Sequence, residues 1–205
     1  MYKGIDISTH NTITNWCNVK AAGIDFAIIR EGFGEKSDKQ VDAKFHKHIA
    51  AAKQHNINCG VYHYSYATSV KSAINEAEFC LENIKDYQLE YPVAFDIEDP
   101  SLEKLSTSLR TDICKAFCET IEEAGYYVMI YSSLYWFRDL LKYDELSKKY
   151  DIWLAQWNTN KPSITCGIWQ YVSSEKINGC EGLTDVNISY KDYPTIMKTK
   201  HLNKF

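Results

Sequence analysis

The sequence predicts an α/β protein built as a single irregular barrel, with full helices in the first half of the chain and abbreviated ones in the second. Two observations point there. Short apolar runs bounded by turn residues alternate with stretches whose apolar residues recur at three- and four-residue steps, which is the pattern of repeated strand–helix units around a mostly parallel sheet. The rival, an open doubly wound sheet, would place a glycine-rich phosphate loop after its first strand, and none is there. At 205 residues the chain is long enough for one domain with a sizeable core.

The elements follow in order. A strand at Lys3–Ile7 precedes a helix at about Asn15–Ala22. A second strand, Asp25–Arg30, ends at Glu31-Gly32-Phe33-Gly34 and leads to a helix carrying Val41, Phe45, His48, Ile49 and Ala52. Next come a strand at Asn58–Tyr64, a helix at Val70–Lys85, the strand Pro92–Glu98, a helix at Ser106–Ala124, a strand at Tyr127–Tyr131 and a helical stretch at Leu134–Leu141. Three late strands, Ile152–Gln156, Gly167–Tyr171 and Thr184–Ile188, have little helix between them. Eight strands in so short a chain suggest a closed, TIM-like but abbreviated barrel. Residues 1–195 are expected to form it, with 196–205 as a solvated basic tail.

Composition narrows the function. A net charge of −4 gives no basic field for nucleic acid. No apolar run is long enough to span a membrane, and the N-terminus shows no signal peptide, so the expectation is synthesis in the cytosol. Seven scattered cysteines without a CxxC pair suggest mostly free thiols and no structural zinc. Oligomeric state is not readable.

Strand alternation then places the acids. In Val93-Ala94-Phe95-Asp96-Ile97-Glu98 the apolar Val93, Phe95 and Ile97 face the helices, so Asp96 and Glu98 point into the barrel. Asp6 takes the same side in the first strand, between Ile5 and Ile7, and Asp185 lies among apolar neighbours in the last. Burying acids is costly, and a fold carries them mainly where the charge is used. Barrel sites lie at the C-terminal ends of strands, and closure makes the first and last strands neighbours, so four carboxyls converge on one mouth. Glycoside hydrolysis needs such a set, an acid for the leaving oxygen and a negative group beside the oxocarbenium-like centre. Nearby charge and burial raise a carboxyl pKa, so Glu98 is expected to stay protonated as the acid while Asp96 remains ionised.

These residues lie within an ordered series: Gly4-Ile5-Asp6-Ile7-Ser8, Phe26 to Gly34, Gly60-Val61-Tyr62-His63-Tyr64-Ser65-Tyr66-Ala67, Tyr91 to Glu98, Ile152-Trp153-Leu154-Ala155-Gln156-Trp157, Ile168-Trp169-Gln170-Tyr171 and Thr184-Asp185-Val186-Asn187. In this the chain resembles glycoside hydrolase family 25, the lysozymes typified by the Chalaropsis enzyme and many phage endolysins. The resemblance implies a muramidase that cuts the β-1,4 bond between N-acetylmuramic acid and N-acetylglucosamine in peptidoglycan, with retention. No cofactor is expected, and no metal, since no histidine joins the acids at ligand spacing. The resemblance makes Glu98 the acid/base, puts Asp96, Asp6 and Asp185 in the site, and suggests Tyr62, Trp153, Tyr64 and Trp169 as sugar contacts. It also implies action on the cell wall after release or export. The chain departs from many relatives after the first strand, where Thr9-His10-Asn11 replaces Trp-Gln-Gly. Two rivals remain. A chitinase-type hydrolase would want acids at positions 91 and 94, where Tyr91 and Ala94 stand, and a non-catalytic wall-binding barrel would not need Glu98.

Overall fold

The computed structural model describes the backbone of residues 1–205 and every side chain except that of Asp38. Eight strands close a barrel: β1 (Tyr2–Ile7), β3 (Phe26–Phe33), β4 (Asn58–Tyr64), β5 (Val93–Asp96), β6 (Val128–Ser133), β7 (Asp151–Ala155), β8 (Ile168–Glu175) and β10 (Thr184–Ser189). Neighbours run parallel from β1 through β3 and onward to β8. The last strand, β10, runs antiparallel to both β8 and β1 and closes the ring. A short pair outside the barrel, β2 (Thr12–Ile13) with β9 (Cys180–Glu181), was not apparent from the sequence.

Alternation sorts the apolar residues into two cores. Phe26, Ile28, Ala94, Met129, Trp153 and Ile168 fill the barrel, while Ile5, Ile29, Val61, Phe95, Ile130 and Leu154 face the helices. Those helices are α1 (Trp16–Ala21), α2 (Phe45–Gln54), α3 (Val70–Ile84) and α4 (Thr107–Glu123). Each start is dictated locally where a short polar residue caps it: Ser69 accepts from the Ser72 backbone N–H and Ser72 Oγ reciprocates at the Ser69 N–H, while Ser106 caps α4. After β6 the helices shrink, as expected, to a π-turn at Trp136–Leu140 and α5 (Tyr143–Leu146).

The C-terminal residues differ from the tail the sequence suggested. A helix, α6 (Tyr193–Lys200), runs beneath the barrel, with Tyr193 and Met197 completely buried in the inner core. Tyr91 stacks on Phe26 with ring centroids 4.2 Å apart and meets Tyr193 at 5.4 Å, so three aromatic rings seal the end of the barrel where the parallel strands begin. Beyond α6, buried Asn203 accepts from the Tyr127 backbone N–H and donates to the Tyr91 carbonyl. The exposed side of these rings and these backbone groups need partners, and the C-terminal segment supplies them.

Candidate active site

The opposite end of the barrel is open, and the inward side chains there are polar. Asp6 comes from the end of β1, Asp96 is the last residue of β5, Glu98 follows two residues later, and Asp185 is at the start of β10, which reaches the mouth first because it runs antiparallel. Asp6 and Asp185 pair directly across the β1–β10 register. The four acids share a cavity of about 280 Å³, with Tyr62, Tyr64, Tyr131, Trp153 and Arg30 on its walls.

The acids differ in environment. Asp6 Oδ2 accepts from the side-chain amides of Asn187 at 2.8 Å and Gln170 at 2.9 Å. Burial pushes its pKa up, and these two donors together with Asp185 partly offset the rise. Burial first, and then the neighbouring Asp6, lift Asp185 to about 8 and Glu98 to about 7. Asp96 is pushed well above the usual carboxylate range, first by burial and then by Glu98 and Asp6. Its Oδ1 is buried without a hydrogen-bond partner. This direction runs against the ionised Asp96 that the sequence suggested. The strand end encloses Asp96 more completely than Glu98, and amide donors converge on Asp6 instead, which favours charge on Asp6 over Asp96. Glu98 keeps the poise of a group that can give up and recover a proton near neutrality.

Of the expected sugar contacts, Tyr62 and Tyr64 line the cavity, and the Tyr64 hydroxyl donates to Asp99 at 3.1 Å. Trp153 lies in the wall but is almost wholly buried, packed on Tyr131 at 4.4 Å, with Nε1 donating to Asn187 Oδ1 at 2.7 Å. Trp169 is not brought to the site. On β8 the inward positions are Ile168 and Gln170, so Trp169 faces the outer core, where its Nε1 donates to the Gln156 carbonyl. His63, on the outward face of β4, is likewise remote from the acids. It forms a buried cluster in which Nδ1 meets Glu31 Oε1, Nε2 is 3.8 Å from Glu76 and Asn83 donates to Glu31 Oε2. Glu31, His63 and Cys80 are of metal-ligand type at close range, yet the Glu31 oxygens and His63 Nδ1 are already committed to these hydrogen bonds.

Several groups at the mouth were missed. Arg30 shares the inward face of β3 with Phe26 and Ile28, a parity that was visible in the sequence; its Nε donates to Asp42 at 2.8 Å, and its charge opposes the rise of the Asp96 pKa. Tyr131 also follows strand parity. Trp157 and Tyr66, nearly half exposed, come from loops where no periodicity announces them, and Tyr135, equally exposed, comes from the helical turn after β6. They extend the cavity into a groove. One arm, about 340 Å³, holds Glu98, Asp185, Tyr135 and Trp157, and the other, about 320 Å³, holds His10, Arg30, Phe33 and Tyr66. A cleft with a poised carboxyl, a hydrogen-bonded carboxylate and aromatic walls suits acid-assisted cleavage of a glycosidic bond.

Residues 5–180 match the profile of Glycosyl hydrolases family 25. The chain belongs to that family. It is similar to Lysozyme M1 of Streptomyces globisporus, with 26% identity over 201 residues, covering 90% of this chain and 66% of the relative. It is also similar to the lysozyme of Streptococcus phage Cp-9, 26% identical over 187 residues, of which it spans half the length. Among solved structures, the modular autolysin LytC of Streptococcus pneumoniae superposes with a TM-score of 0.80 at 30% identity, covering 92% of this chain and 46% of that one. The bacterial lysozyme of Streptomyces coelicolor shares the fold with a TM-score of 0.81 at 24% identity, covering 93% and 92% of the two chains. The closed eight-stranded barrel is thus the family's fold.

Proposed function

We propose that the protein is a muramidase that hydrolyses the β-1,4 bond between N-acetylmuramic acid and N-acetylglucosamine in peptidoglycan. The observation that carries this reading is Glu98, poised near 7 at the end of β5 above a cavity that also holds Asp6, Asp96 and Asp185. Lysozymes among its relatives, and an autolysin structure obtained with a synthetic peptidoglycan ligand, support the substrate class.

In this reading Glu98 protonates the leaving oxygen and then, as a carboxylate, draws a proton from water. Negative charge centred on Asp6, held by the Asn187 and Gln170 amides, supports the developing positive charge at the anomeric carbon. Asp96 Oδ1, lacking a protein partner, is available to the N–H of the substrate's acetamido group, which favours a ring closed by that group as the intermediate. Tyr62 and Tyr64 contact the sugar in the cavity, and Trp153 supports it from beneath. The barrel domain so described acts on the cell wall, needs no cofactor, and takes glycan strands rather than nucleic acid as its partner.

Digesting purified peptidoglycan, reducing the products with borohydride and weighing them by mass spectrometry tests the reading. Reduced muramic acid ends are expected. Reduced glucosamine ends, or intact glycan with freed peptides, would overturn it.

A further inference from the structure

A surface hollow of about 880 Å³ is separate from the four acids and adjoins their groove. Leu134 lines both this hollow and the Trp157 arm. Gln156 of that arm is tied to Ser163 of the hollow by two hydrogen bonds, at 2.6 and 2.8 Å. The two spaces differ in character. The groove is acidic, with aromatic walls. The hollow has an aliphatic and aromatic lining from Leu134, Phe137, Leu141 and Ile164, and its rim carries the exposed Lys142 and Lys148. Two acids, Asp144 and Glu145, share that rim, but Glu145 is paired with Lys115. Neither Lys142 nor Lys148 has a carboxylate within salt-bridge distance among the described residues.

Glu98, Asp185 and Tyr131 line both the acid cavity and the Trp157 arm. With the leaving-group sugar of the muramidase reading laid along that arm, the hollow lies beyond it. A peptide on the lactyl group of muramic acid, with small apolar side chains and free carboxylates, is suited to an apolar hollow with cations at its edge. We propose that this hollow binds the acidic stem peptide of the next muramic acid on the leaving-group side of the cleaved bond. The proposal rests on the muramidase reading and adds a peptide-recognition site to it.

The test compares two glycan preparations of matched length, one with uncross-linked stem peptides and one stripped of them by an amidase, with kcat/KM measured from released reducing ends. The parent protein is expected to cleave the peptide-bearing strands at least about tenfold better. The doubly reversed variant Lys142→Glu/Lys148→Glu is expected to lose most of that preference while holding its rate on stripped strands within about twofold. Both lysines are exposed, so the fold should be retained, and near-parent cleavage of stripped strands reports that directly. Equal parent rates on the two preparations, or a variant impaired equally on both, would refute the peptide site while leaving the muramidase reading standing. A parent protein that cleaves neither would overturn both.

Discussion

Replacing Glu98 with glutamine keeps the side-chain shape and removes the ionisable proton, so its effects on activity and stability can be worked out separately. Burial beside Asp6 lifts the Glu98 carboxyl from 4.5 to about 7. A proton is therefore bound more tightly in the folded protein than in the unfolded chain. The stability linked to it is fully present below pH 4.5 and is lost as pH rises through 7. A shift of about 2.5 units at 1.36 kcal/mol each makes that loss roughly 3 kcal/mol, an upper figure because the neighbouring acids relax together. Glu98→Gln carries no such proton. It should unfold in denaturant at a midpoint near the parent's at pH 4.5 and clearly above it at pH 8, while wall clearing falls by about 10²–10⁴-fold. The parent's clearing rate should decline above pH 7 as the acid is lost. A variant that clears walls near the parent rate refutes the assignment of Glu98. One that gains no stability between pH 4.5 and 8 refutes its elevated pKa.

Three further outcomes are expected. Gly4→Ala should destabilise by about 1–3 kcal/mol in urea unfolding, because a Cβ at Gly4 meets the Phe26 ring, which is stacked on Tyr91 and has nowhere to go. Asn203→Ala leaves the Tyr127 N–H and Tyr91 carbonyl without their partner and should lower the thermal midpoint, at about 1–3 kcal/mol per orphaned group, with kcat unchanged. Dialysis against a chelator should leave the lytic rate intact, and a loss restored by zinc or calcium would contradict a carboxyl-only mechanism.

What could be read from the sequence was what alternation encodes. Ile5 and Ile7 against Asp6, and Phe95 against Asp96, place two acids inside a barrel before any coordinates are known. The eight strands and their order follow from the same pattern. Trp169 was misassigned because it was placed by motif; the parity of Ile168 and Gln170 would have turned it outward. Trp157 and Tyr66 lie in loops, where position depends on packing rather than period. Asp185 was legible as a neighbour of Asp6, but its protonation was not, since that depends on how deeply each carboxyl is enclosed. The segment after Tyr193 looked like a tail because Lys198 and Lys200 dominate its composition, while Tyr193 and Met197, four residues apart, mark its buried face.

The antiparallel course of β10 also bears on timing. Asp6 obtains its amide donors from residues made after the first six barrel strands; the Asn187 hydrogen bond spans 181 positions. On a ribosome the early strands and helices can collapse while Asp185 and Asn187 are still untranslated, and during that interval the ring is open and its carboxyls are dispersed. Under the muramidase reading, a partly made chain is therefore harmless to a wall. Lytic competence arrives abruptly, when the last strand slots between β8 and β1, so a cell making this protein is exposed to it only as a finished barrel.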